Sequence, residues 1–133
     1  MKEKILKLQE NIHFKLLGIS SKLSIHKLSW ALNENLNFEF QRLESENENS
    51  GKEFEIFHHE TPQAVFSLIE NKSNSGLLIK KLPNIDYFLK IEGNIFEENL
   101  NLLIKKIRQT SNIYACLIID ISLLKKKDIE LLS

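Results

Sequence analysis

Hydrophobic and polar positions along this chain follow two periods. The stretch "NLNFEFQR" (35–42) alternates strictly, with Leu36, Phe38 and Phe40 on one side and Asn37, Glu39 and Gln41 on the other. That period of two predicts a half-buried strand. "IHFKLLGI" (12–19), "EFEIFHHE" (53–60), "AVFSLIEN" (64–71), "LLIKK" (77–81) and "IDYFLKIE" (85–92) read as further strands. In the last of these, Ile85, Tyr87, Leu89 and Ile91 share one face, and Asp86, Phe88, Lys90 and Glu92 share the other. "IYACLIIDI" (113–121) has no polar alternation before Asp120, which predicts a strand buried on both faces.

Two stretches carry the helical period. "KLSIHKLSWALN" places Leu23, Ile25, Leu28, Trp30, Ala31 and Leu32 on a broad apolar face, with Ser20 or Ser21 as N-cap and Asn33 as a left-handed stop. Phe96, Leu100, Leu103, Ile104 and Ile107 form a stripe of period 3.6 after an Asn94 cap. Glu97 and Glu98 in its first turn and Lys105, Lys106 and Arg108 in its last complement the helix dipole. Thr61-Pro62 and "KSNSG" (72–76) are turns, "ESENENSGK" (44–52) is a mobile hairpin loop, residues 1–10 are a frayed arm and residues 123–133 a terminal helical segment. The order of elements predicts one α+β domain, a mainly antiparallel sheet of six or seven strands with two helices packed on one face.

Composition narrows the function classes. The chain of 133 residues suits one domain, and Lys plus Arg equals Asp plus Glu at 18 each. A zero balance removes the whole-molecule attraction to nucleic acid or anionic membrane. Arg42 and Arg108 are the only arginines, so bidentate phosphate clamps are scarce. One cysteine, Cys116, excludes an intramolecular disulfide and points to a reducing, cytoplasmic setting. The N-terminus lacks the apolar core of a signal peptide, and no run approaches the ~18 apolar residues of a membrane span.

The stretch Ile79-Lys80-Lys81-Leu82-Pro83-Asn84-Ile85-Asp86-Tyr87 resembles the I-P-E-x-x-x-V-D-Y signature of the IPExxxVDY family, small uncharacterised proteins of Bacteroidetes. Ile79, Asp86 and Tyr87 match, Ile85 stands for Val, and Lys80 and Lys81 replace Pro and Glu. "LLGISSKLSIHKLSWALNENL", "DYFLKIEG" and "IDISLLKKK" are similar in character to the family's corresponding passages. The resemblance implies a class and no mechanism, because the family carries no established activity.

No catalytic constellation emerges. Asp86 and Tyr87 are adjacent in a strand and point to opposite faces, so they do not address one substrate together. His58 and His59 diverge for the same reason, and His13 and His26 are isolated, so no metal site is expected. Cys116 lies among aliphatic neighbours and reads as a buried, inert thiol. Asp120 closes an apolar strand, where a capping role competes with a ligand role at a sheet edge. Phosphate-binding glycine loops are absent, and no cofactor is implied. The lysine runs 80–81, 105–106 and 125–127 read as a solvated surface more readily than as an RNA face.

The sequence is therefore best read as a non-catalytic binding or adaptor domain that contacts a protein partner or its own copy. Phe57 and Phe88 break the polar sides of their strands and would need cover. A small apolar-ligand pocket between sheet and helices, lined by Trp30, Phe38, Phe40 and Tyr87, is the second expectation, and RNA binding through the lysines the third. Any concave site should gather Asp86, Tyr87, Trp30 and Asp120.

Overall fold

A computed structural model describes residues 14–43 and 54–132. The expected arm at 1–10 and loop at 44–52 lie outside these residues. Strand β1 (Phe14–Ser21) leads into helix α1 (Ile25–Leu36), followed by β2 (Gln41–Arg42), β3 (Ile56–Glu60), β4 (Ala64–Glu70), β5 (Lys72–Ser73) and β6 (Gly76–Leu77). Strand β7 (Tyr87–Gly93), helix α2 (Glu97–Arg108), strand β8 (Ile113–Ile118), a 3-10 turn (Ile121–Leu123) and helix α3 (Lys126–Leu131) complete the chain. Six strands form one antiparallel sheet in the order β2-β3-β4-β7-β1-β8, and β5 and β6 form a separate small hairpin. The α+β class with two helices on one face is thus what the chain forms.

Both faces of the sheet are covered. On one, Ile25, Leu28, Leu32 and Leu36 of α1 and Leu100, Leu103, Ile104 and Ile107 of α2 pack on Leu17, Ile19, Leu68, Leu89 and Ile91. On the other, Ile79 and Ile85 from the segment after β6, with Leu124 and Leu132 around α3, pack on Leu16, Ile69 and Phe88. Cover on both faces explains two departures from expectation. Phe57 and Phe88, expected to be exposed, are buried, Phe57 beneath the helical layer and Phe88 beneath the second one. Gly18 keeps the second layer close: a Cβ there would lie 2.8 Å from Ile85 Cδ1 and 2.9 Å from Ile119 Cδ1.

Local hydrogen bonding moves several boundaries. Pairing with β7 and β8 carries β1 through Ser20 and Ser21. The N-cap of α1 is therefore Ser24, whose hydroxyl accepts from the Lys27 amide at 3.3 Å. The left-handed stop is Asn37 (φ 59°) and not Asn33. Asn33 instead brackets Phe40, accepting from its N–H at 2.7 Å and donating to its carbonyl at 3.3 Å. The strand expected over 35–42 consequently shrinks to Gln41–Arg42, since a side chain satisfies the backbone that a ladder would have used. Asn94 does not cap α2; Phe96 occupies that position and is 79% exposed, so it is not part of the buried stripe. The strand expected at 77–81 is confined to Gly76–Leu77, and that expected at 53–60 runs over Ile56–Glu60. The strand expected at 85–92 begins at Tyr87, which lets Ile85 join the layer opposite Tyr87.

The terminal segment is held by lysines as well as by apolar contacts. Lys81 Nζ donates to the Leu123 carbonyl at 2.6 Å and lies 3.5 Å from Asp128. Lys90, 8% exposed, donates to the Leu132 carbonyl at 2.8 Å and pairs with Glu92 at 2.9 Å. Two lysines thereby satisfy carbonyls on either side of α3, of the 3-10 turn before it and of its C-cap, where the helix dipole favours positive charge at the C-terminal end.

Candidate functional site

Asp86 and Tyr87 serve the fold. The Asp86 carboxylate accepts from the Ser21 amide at 2.8 Å and pairs with Lys72 at 3.2 Å. Its backbone joins Ile19, Asn71 and Lys72. The Tyr87 hydroxyl donates to the Leu23 carbonyl and pins the turn before α1. Burial pushes its phenol up to about 12, with the Glu70 and Asp86 charges adding to the effect, so it stays neutral. Asn71, fully buried, organises the chain just upstream. Its amide nitrogen donates to the carbonyls of Leu82 at 3.0 Å and Ile85 at 2.7 Å, and its oxygen accepts from Ile79 N–H at 2.8 Å. Ile79, Ile85, Asp86 and Tyr87, the residues that carry the likeness to the family signature, are all held directly or through their neighbours by this junction. A polar residue closing the apolar run "AVFSLIEN" was the one signal of it in the sequence.

The other expected site residues lie apart. Trp30 projects from the outer face of α1, 66% exposed, whereas Phe40 and Tyr87 are core residues. Asp120 caps the 3-10 turn, accepting from the Ser122 amide at 3.0 Å and its hydroxyl at 2.7 Å; these bonds hold its carboxyl below the usual range. Asp86 bonds Ser21 at one end of β1, whereas Asp120 follows Ile119, which bonds Leu16 near the other. Asp86, Tyr87, Trp30 and Asp120 therefore do not converge.

His58, His59 and Cys116 likewise serve packing, and His13 lies outside the described residues. His59 stacks on Phe38, ring centres 4.2 Å apart, and its Nδ1 accepts from the Glu39 amide at 3.0 Å. Burial lowers the proton affinity of both His58 and His59. Cys116 is 2% exposed, and burial pushes its thiol up to about 11 despite the nearby Arg108 charge. Among the described residues no group of three or more His, Cys, Asp and Glu is placed to hold a metal ion, and no helix is long and apolar enough to cross a membrane. Glu55 pairs with Arg42 at 3.1 Å and His26 at 3.4 Å. Glu70, raised in proton affinity mainly by burial, accepts from the Glu55 amide at 3.4 Å. This cluster borders a shallow polar depression shared with Lys72, Ser73, Asn74 and Ser75, with no enclosed volume to exclude water. The lysine runs divide between layers: 105–106 lie on α2, while Lys81 sits against Asp128 on the opposite side of the sheet.

Two surfaces stand out among the described residues. The first is the edge formed by β8, expected from its composition to be buried on both faces. It is instead the last strand of the sheet, with Tyr114 64%, Leu117 43% and Ile118 53% exposed. Ile119 N–H bonds Leu16 on β1, while the Cys116 carbonyl accepts from Arg108 Nε at 2.9 Å. In an antiparallel strand successive residues alternate direction, so Cys116 and Ile118 turn their backbone groups away from β1. Asn101, Lys105, Arg108 and Gln109 of α2 and its C-cap overhang a groove beside Leu117 and Ile118. The second surface is a cavity of about 370 Å³ between the ends of α1 and α2 and the β3–β4 turn. The edge was not visible in the sequence, because a single apolar run does not state whether it becomes a central or an edge strand; of the residues expected to line a pocket between sheet and helices, Phe38 lines this cavity and Trp30, Phe40 and Tyr87 do not.

The fold and these surfaces define a mixed α+β protein whose sheet ends on the exposed strand β8. Compared with known protein families the chain matches none, and no curated protein matches it.

Proposed function

We propose that this protein is a non-catalytic binding module that takes up an extended, acidic segment of a partner protein as an added strand along β8. The observation that carries the reading is the outward-facing backbone of Cys116 and Ile118 beside exposed Tyr114, Leu117 and Ile118. Strand addition supplies main-chain hydrogen bonds, and alternate side chains of the incoming segment contact the two faces. Lys105 and Arg108 overhang this edge, and neither pairs with a carboxylate among the described residues. They favour an acidic strand. They also oppose pairing of β8 with a second copy, because a two-fold contact brings the same positive patch of both chains together. In the free protein Arg108 shields the Cys116 carbonyl, a device that limits edge-to-edge aggregation.

The test is a titration followed by amide chemical shifts, with a soluble hexapeptide alternating valine and glutamate and its valine–lysine counterpart. The expected result is saturable shifts in β8 and the last turn of α2 with the acidic peptide only. Ile118→Pro, which removes an outward N–H without touching the β1 ladder, should abolish them while leaving the fold intact. Equal binding of the basic peptide, or shifts that survive Ile118→Pro, would remove the basis for the assignment. A stable dimer in solution that Ile118→Pro dissociates would replace the partner with a second copy.

A further inference from the structure

Helix α2 has two flanks. One, with Asn101, Lys105 and Arg108, overhangs β8; the other, with Asn99, Leu102 and Lys106, walls the 370 Å³ cavity on the far side of the helix. The cavity lies where α1 ends, where β7 passes into α2, and where β3 turns into β4. Its floor is Leu36, Phe38, Phe66 and Leu103, and Phe38 and Phe66 lie with ring centres 4.8 Å apart. Gly93 brings its rim together: φ is +116°, and a Cβ would sit 2.3 Å from the Gln63 carbonyl, so only glycine allows the β7 end to meet the β3–β4 turn there.

The polar groups of this cavity are few, and the Thr61 hydroxyl is already engaged with Ala64. Gln63, Asn94 and Asn99 present amides whose side chains bond no other described residue, and Lys106 is the single charged residue in the lining. No carboxylate lines the wall, and Lys106 forms no ion pair among the described residues. At the lip, Phe96 is 79% and Leu102 51% exposed, so an occupant would cover apolar surface that the free protein leaves in water. A concave apolar space within the usual range of about 300–1,000 Å³, with a few polar groups to orient the occupant, is the form of a small-molecule site.

We propose that this cavity binds a small apolar monocarboxylate, aliphatic or aryl, with its hydrocarbon on Phe38, Phe66 and Leu103 and its carboxylate at Lys106 among the three amides. A lone lysine in the lining of an apolar cavity selects one negative charge at one end of an apolar body, and a phosphate or dianion would lack a second cation. The proposal rests on a different surface from the β8 edge, and either can fail without the other.

Decanoate, 2-naphthoate and neutral decanol are the probes, titrated into the full chain by calorimetry with amide shifts recorded in parallel. Both acids should bind one to one, with shifts at Phe38, Phe66, Ile95, Phe96 and Leu103, and decanoate should bind about tenfold more tightly than decanol. Lys106→Gln, at a surface position that leaves the core intact, should erase that difference and leave decanol unchanged. Leu102→Glu, at the lip, should weaken the acids further while retaining the native spectrum. Absence of saturable binding, decanol binding as tightly as decanoate, or a tenfold preference that persists in Lys106→Gln would each overturn the proposal. Shifts at this cavity produced only by the valine–glutamate peptide would overturn it in favour of a protein contact.

Discussion

The segment from Asn71 to Tyr87 and the edge strand Ile113–Ile118 make opposite use of their polar groups. The first contains the most distinctive residues of the chain, and its chemistry is directed inward. Asn71 satisfies two carbonyls and an N–H, Asp86 an amide and an ammonium, and Tyr87 a carbonyl of the turn before α1. The second is an unremarkable apolar run, yet it leaves outward backbone groups and three exposed apolar side chains at the margin of the sheet. The lesson is that a conspicuous polar pair is weak evidence of a site. Capacity for binding lies where hydrogen-bond valence and apolar surface remain unsatisfied after folding.

The contrast breaks first, and most visibly, at Asn71. Asn71→Ala would leave the Ile79 N–H and the Ile85 carbonyl without a partner in a buried layer, and the Leu82 carbonyl with the Ile85 N–H alone. At roughly 1–3 kcal/mol for each group that stays unsatisfied, the loss should reach about 3 kcal/mol or more by urea denaturation. A loss below about 1 kcal/mol would show that the junction is not what holds this segment. Tyr87→Phe removes one hydrogen bond from a buried ring and keeps the packing. It should cost about 1 kcal/mol and leave peptide binding at β8 unchanged.

The edge sharpens the comparison in the other direction. Ile118→Pro should change stability by less than about 1 kcal/mol, since its N–H faces away from β1 and the side chain is half exposed, while eliminating strand addition. If it unfolds the protein, β8 is not a free edge.

The smallest effect concerns pH. Burial places the folded-state proton affinity of His58 and His59 below that of the unfolded chain, whose ordinary value is 6.5. The unfolded state therefore binds more protons just below that pH, and stability falls as pH drops through 6.5 towards the lowered values. For His59 the cause is also geometric: Nδ1 accepts the Glu39 N–H, which a protonated ring cannot do. His59→Gln should flatten part of this slope in thermal melts between pH 7 and 5. A slope unaltered by loss of His59 would assign the effect elsewhere.

How far the sequence could anticipate all this follows from the range of the interactions involved. Helix α2 is legible because its stripe and its terminal charges are local, and β4 because its end residues and length are. The edge of α1 was misplaced by a few residues because Asn33 bonds Phe40 rather than ending the helix, a choice visible only once the extended stretch 38–40 is placed beside it. The turn-rich path from 78 to 86 depends on Asn71, up to fourteen residues upstream of its partner Ile85, and no periodicity encodes that. The candidate surfaces were illegible for a related reason. Leu117 and Ile118 look like any buried pair until strand order puts β8 last, and the cavity draws on α1, β4, α2 and the segments that connect them to their neighbours.

Amide hydrogen exchange, resolved by residue with and without the valine–glutamate peptide, tests the central contrast most directly. The account expects the amides of Ser21 and Ile79 to exchange only through large-scale unfolding, and the Ile118 amide to exchange quickly in the free protein and slow when the peptide is added. An Ile118 amide already protected in the free protein, or unaffected by a saturating peptide, would contradict it.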